Sequence, residues 1–116
     1  MAADLDHIKQ KLRQFAHERE WDKYHSPKNI AMALTVEAAE LLEIFQWMTE
    51  EESLRLDPQK LQAVKHEIAD VFLYLLTISR VLDIDILEAA AEKLALNDIK
   101  YPLDKARGNA KKYTEL

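Results

Sequence analysis

Apolar residues recur along this chain at intervals of three and four, and no segment sustains an alternation with period two. That pattern predicts helices and no sheet. Ile30, Leu34, Glu37, Leu41 and Ile44 step by four, three, four and three, the core stripe of a packed helix. An acid, Glu37, takes one of those core positions. Further on, Leu61, Val64, Ile68, Val71, Leu75, Ile78 and Leu82 form one stripe, and Ala63, Glu67, Asp70, Tyr74, Thr77 and Val81 form a second beside it. A helix apolar on more than one side should be surrounded by other helices. Within residues 68–76 its only charge is Asp70.

The punctuation divides the chain into four long helices. The first is predicted over about residues 4–20, with Asp4 as N-cap and Leu5, Ile8, Leu12, Phe15 and Arg19 at core spacing. A polar, aromatic loop follows at residues 21–27, and its proline opens a second helix that runs to Trp47. Thr49 can cap a short turn at residues 50–54. A third long helix starts near Pro58 and ends near Leu82. Asp83 and Asp85 are candidate caps for a fourth, from Ile86 to about Lys100, which stops ahead of Pro102. Beyond it lies a tail carrying Lys105, Arg107, Lys111 and Lys112, basic against an acidic body. The expected class is all-α, a four-helix bundle.

Two signatures in the core helices carry the chemistry, Glu37-Ala38-Ala39-Glu40 and Glu67-Ile68-Ala69-Asp70. Residues three apart on a helix share a face, so each signature is a two-carboxylate claw, and two facing claws would make a metal box. Most Glu residues are simply solvated, but these sit in apolar stripes. Burying an unpaired carboxylate costs several kcal/mol or forces it to take up a proton. A hard divalent cation, Mg²⁺ or Mn²⁺, would remove that cost through its preference for oxygen ligands. The alternative is that the acids pair with Arg or Lys across the bundle, leaving a non-catalytic helical adaptor.

Di-iron bundles take a Glu-x-x-His pair from each of two helices, and neither core helix has one. An all-carboxylate box instead suits phosphoryl chemistry, in which cations neutralise phosphate oxygens and acidify water. Glu43 extends the acidic ridge of the second helix, where it could bind a further cation or stay solvated. Lys93 and Asn97, four apart, project together and suit phosphate oxygens. Trp21 and Trp47 flank the second helix, where they could clamp a planar base or plug the core. Tyr24 and His25 are candidate hydrogen-bond partners for a base edge.

Composition sets the outer bounds. With 116 residues the chain is expected to be one domain, residues 1–116, small for an enclosed site and so suited to a homodimer or homotetramer. There is no Cys, hence no disulfide framework, thiolate site or cysteine nucleophile. A net charge of −5 disfavours a nucleic acid polymer as partner. No basic-plus-apolar leader is seen, and the apolar stretch at residues 71–82 is too short to span a bilayer and contains Arg80. A soluble, cytoplasmic protein without a membrane partner is expected.

Taken in order, the segments EREWDKYHSPKN, LTVEAAELLEIFQW, HEIADVFLYL, KLALNDIKYP and ARGNAKKYTEL resemble the MazG-like all-α nucleoside triphosphate pyrophosphohydrolases, and among them the dCTP pyrophosphatase branch. The resemblance covers nearly the whole chain. It implies a four-helix bundle, dimeric or a dimer of dimers, that uses Mg²⁺ to cleave a dNTP to the monophosphate and pyrophosphate. Glu37, Glu40, Glu67 and Asp70 match the metal ligands, with Glu40 or Glu37 positioned to orient or deprotonate the attacking water. The loop residues Trp21, Asp22, Lys23, Tyr24 and His25, together with Trp47 and Tyr74, match nucleotide-contacting positions. Lys93 and Asn97 match phosphate contacts. Two departures stand out. Leu12 occupies the place of a His found nine residues before the first loop Trp in the dCTP enzymes, which implies looser discrimination among pyrimidine nucleotides. Ala38 and Ala39 replace glycines inside the first claw, a change compatible with a helix. Enzymes acting on dUTP or phosphoribosyl-ATP share this type of scaffold and remain alternatives.

Overall fold

The computed structural model describes residues 3–116. Among the described residues there are six α-helices and two 3-10 turns, with no strand, as the periodicity predicts. They form two compact units, one running to Asp83 and the other Ile84–Leu116. The first holds α1 (Leu5–Glu18), a 3-10 turn (Asp22–Tyr24), α2 (Pro27–Phe45), the short α3 (Glu50–Ser53) and α4 (Pro58–Val81). The second holds α5 (Ile86–Lys100), α6 (Leu103–Ala106) and a 3-10 turn (Tyr113–Glu115).

Each long helix starts where a short polar side chain can satisfy an otherwise orphaned N–H. Asp4 accepts from the His7 amide at 2.8 Å, Ser26 from Asn29 at 3.2 Å, Asp57 from Lys60 at 2.8 Å and Asp85 from Glu88 at 3.0 Å. Thr49 and Glu52 close a reciprocal capping box over α3, both bonds at 3.1 Å. Asp83 does not cap α5. Its φ of +54° ends α4 instead, with its N–H donating to the Arg80 carbonyl at 3.1 Å. The first helix likewise stops at Glu18, two residues earlier than the periodicity suggests. Glu20 has a φ of +56°, its N–H donates to His17 O at 3.0 Å, and the Trp21 N–H donates to Ala16 O at 2.9 Å. This is the Schellman pattern, in which a left-handed residue turns the chain sharply off the helix.

In the first unit α2 packs along α4, and α1 lies more lightly against α4. The centre of the packing is Ile30 at 1 % exposure and Leu76 at 2 %, joined by Ala16 and Val64. In α1 the buried position is Ala16, while Phe15, which the spacing assigns to the core, stays partly exposed. Within the described residues of the first unit, α4 is not surrounded by helices as its two apolar stripes suggest. Leu61, Ile68, Phe72 and Leu75 remain exposed because α1 and α2 cover only its other side.

The second unit has no buried residue in α5. The tail after it is not the plain basic segment that its composition suggests. Asn109 donates to Lys105 O and accepts from the Lys111 amide, both at 3.0 Å, which closes the turn after α6 around Gly108 with φ +82°. Tyr101 and Tyr113 meet edge to face at 6.2 Å, and the Lys100 ammonium lies 5.0 Å from the Tyr113 ring.

Ile30→Ala, which opens a cavity at the most buried side chain, is expected to lower unfolding stability by about 2 to 5 kcal/mol. Loss of the α4 cap in Asp57→Ala should cost about 1 kcal/mol. Urea titration followed by helical circular dichroism measures both. Equal effects would mean that the α2–α4 seam is not the principal core.

Candidate active site

Packing α2 along α4 sets the two acidic claws against each other. Carboxylate oxygens of Glu37, Glu67 and Asp70 all lie within 4.8 Å of one another. The Oε2 atoms of Glu37 and Glu67 are buried and have no hydrogen-bond partner. Such atoms are rare in native proteins, and each asks for an occupant. Burial pushes the Glu37 carboxyl up from the ordinary carboxylate range to about 7, and its hydrogen bond with Glu40 and the charges of Glu40 and Asp70 add to the effect. Glu67 is also raised, first by burial and then by the charge of Glu40. Glu40 is therefore part of the same electrostatic cluster, although its oxygens fall outside the tightest group of three.

No protein cation relieves this crowding among the described residues. The ion pairs join Asp22 to His17 at 3.4 Å and to Arg80 at 3.8 Å, so the pairing that a helical adaptor needs is missing at the claws. The donor set fits a hard divalent ion: it is all oxygen, and two of its atoms are buried and unpartnered. Glu43, on the same helix as Glu37, is exposed.

The claws open into a cavity of about 240 Å³. Glu37 and Asp70 line one part of it. Leu12, Phe15, Ala16 and Leu73 supply apolar wall, while Trp21, His25, Tyr74 and Thr77 complete the lining. The loop reaches the cavity because the Schellman turn after α1 redirects the chain at Glu20. Trp21 then stands edge-on to Phe15 with ring centres 5.5 Å apart, and the Arg19 guanidinium stacks 3.6 Å from the Phe15 centroid. On its far side the loop is tied down by Asn29, whose side-chain amide donates to Tyr24 O at 3.0 Å. Asp22 bridges it to α1 and α4 through His17 and Arg80.

Of the residues singled out by sequence, the structure brings Glu37, Asp70, Trp21, His25 and Tyr74 to one cavity, with Glu67 beside them. Asp22, Lys23 and Tyr24 do not line it. Asp22 serves the loop, and the Lys23 ammonium lies 5.3 Å from the Tyr24 ring on the surface. Trp47 follows the end of α2 and is 89 % exposed. Lys93 and Asn97 lie on α5 in the second unit. Thr77, Leu73 and Ala16 also line the cavity, and Arg80 braces the loop through Asp22, although no motif in the sequence marks them as site residues. Thr77 was legible as a polar residue in the same stripe as Glu67, Asp70 and Tyr74.

Comparisons with known proteins point to one family. The profile of the MazG-like family matches residues 32–116. Human dCTP pyrophosphatase 1 is 36 % identical over 114 residues, which are 97 % of this chain and 67 % of that protein. The mouse protein of the same name is 35 % identical over the same shares. A crystal structure of a pyrophosphatase from Archaeoglobus fulgidus superposes with a TM-score of 0.81 at 40 % identity, covering 88 % of this chain and 95 % of that one. With sequence likeness along nearly its full length and an all-helical architecture shared with a solved pyrophosphatase, the chain belongs to the MazG-like family.

Proposed function

We propose that this nucleoside triphosphate pyrophosphohydrolase cleaves dCTP, or a related or modified pyrimidine dNTP, to the monophosphate and pyrophosphate, and so serves nucleotide pool sanitation. The observation that carries the reading is the pair of buried, unpartnered oxygens on Glu37 and Glu67, beside a cavity lined by Glu37, Asp70 and aromatic rings. Relatives named dCTP pyrophosphatase support the choice of substrate.

Glu37, Glu40, Glu67 and Asp70 would hold Mg²⁺, with Mn²⁺ as a substitute. When bound, the cation supplies positive charge to the triphosphate oxygens and raises the acidity of water. The chain's own residues do the rest. Glu40, or Glu37 one helical turn before it, orients the attacking water and accepts its proton. Trp21 and Tyr74 offer aromatic surface to the nucleoside, and His25 offers a ring nitrogen to the base edge. Asp22 and Asn29 hold the Trp21 loop in place. Lys93 and Asn97, one turn apart on α5, serve phosphate oxygens. Trp47, with Lys23 and Tyr24, adds exposed aromatic and cationic surface to the nucleotide contacts.

The same reading treats the chain as one catalytic domain, a four-helix bundle that works as a homodimer or homotetramer. Leu61, Ile68, Phe72 and Leu75 on α4 and Met32, Val36 and Leu42 on α2 support it, being large apolar side chains left exposed in the single chain. No helix among the described residues is long and apolar enough to cross a membrane.

Product analysis with a panel of dNTPs and Mg²⁺ tests the activity. Release of monophosphate and pyrophosphate is expected, and Glu67→Gln, Asp70→Asn or Glu40→Gln should lower the rate at least a hundred-fold while leaving the helical spectrum unchanged. Wild-type rates in these variants would remove the carboxylates from the mechanism.

Metal and pH dependence of melting gives a second test. Glu37 and Glu67 hold protons more tightly in the folded chain than in the unfolded one. Without metal, the stability these two groups contribute is therefore fully present below the ordinary Glu range of about 4.3 and is lost as pH rises through about 7, where Glu37 ionises. Millimolar Mg²⁺ should raise the melting temperature at pH 7.5, where the cluster is charged, and have little effect at pH 5. A Glu37→Ala, Glu67→Ala double variant should lose the response. A metal-insensitive melt at pH 7.5 would contradict the assignment.

A further inference from the structure

Thr77 is the one buried polar residue among the described residues, at 4 % exposure, and it lines the same cavity as Trp21 and Tyr74. Its hydroxyl donates to the Leu73 carbonyl one turn back at 2.8 Å. A hydroxyl carries a single proton, so with that proton committed Thr77 can offer the cavity only acceptor lone pairs. A valine would fill the same space without a polar atom. His25 lines the same wall, and its Nδ1 is buried with no partner. Leu12, on the same wall, contributes no hydrogen-bonding group.

The position of Thr77 fits a particular part of the ligand. It follows Asp70 by seven residues, two turns along the same face of α4, or about 10 Å at 1.5 Å per residue. That is close to the span from the α-phosphate of a nucleotide to the far edge of a pyrimidine ring. A ring whose phosphates lie at the carboxylates thus brings its 4-position near Thr77.

We infer that Thr77 is the specificity-determining residue of the site, accepting a hydrogen bond from the exocyclic amino group of a 4-aminopyrimidine while His25 Nδ1–H donates to the adjacent ring nitrogen. This rests on the nucleotide reading given above and deepens it by assigning the choice between amino and oxo bases to one side chain. With a 4-oxo base, oxygen meets oxygen with no proton between them. Discrimination of about ten- to a hundred-fold follows, the usual penalty for a buried polar group left unpaired.

Thr77→Val provides the test, because it keeps the β-branched shape and deletes only the hydroxyl. The Leu73 carbonyl keeps its place in the helix ladder, so folding should be retained, as a melting curve will verify. In the wild type, kcat/KM for dCTP should exceed that for dUTP by about ten- to a hundred-fold. In Thr77→Val the ratio should fall to near one, and Thr77→Ser should restore most of it. Direct binding of dCMP and dUMP by calorimetry should show the same loss of preference without any turnover. Two outcomes overturn the assignment of Thr77 alone: both nucleotides cleaved with an unchanged ratio in Thr77→Val, or a wild type that treats them equally. A wild type that cleaves neither nucleotide overturns the nucleotide reading itself, and this inference with it.

Discussion

Everything in the first unit turns on one arrangement: α2 packed along α4 with acids at the seam. The apolar stripes of the two helices drive that packing, and Ile30 and Leu76 at its centre are almost fully buried. The same packing holds oxygens of Glu37, Glu67 and Asp70 within 4.8 Å of one another and strips water from two of them. Hydrophobic burial thus forces together charges that repel. Burial first, and then the neighbouring Glu40 and Asp70, push the Glu37 carboxyl up to about 7. A divalent cation would convert that liability into affinity, since it needs the several oxygen ligands that the fold has already assembled.

The wall opposite the acids follows from different local rules. A left-handed Glu20 ends α1 and delivers Trp21 to the cavity, and Ser26 and Pro27 then start α2 with its first turn capped. Between these fixed points the loop has little freedom, and the bonds from Asn29, His17 and Arg80 remove more of it. The result is a cavity with acids in one part and rings and aliphatic groups in another, a division suited to a ligand that is anionic at one end and planar at the other.

Much of this was legible in the sequence because helical periodicity speaks directly. The stripe through Ile30, Glu37 and Ile44 places an acid at a core position, and the caps at Asp4, Thr49 and Asp85 follow from residue type. Other features are silent in one dimension. Glu20 and Asp83 carry no glycine signal, so the left-handed ends of α1 and α4 emerge only from the backbone. Ser26 and Asp57 were hidden behind the prolines that follow them. Thr77 reads as an ordinary stripe residue until its burial and its bond to Leu73 are known. The folding of the tail depends on Asn109 bonding both ways across Gly108, a contact that basic composition obscures.

The central claim is that the fold holds protonatable carboxylates together for a cation to replace the proton. Calorimetric titration of Mg²⁺ into the protein, repeated in buffers of different ionisation enthalpy, counts the protons released on binding. With Glu37 at about 7, the account predicts release of roughly one proton per chain at pH 6, falling toward zero above pH 8. Binding without proton release at pH 6, or no binding at all, would contradict it.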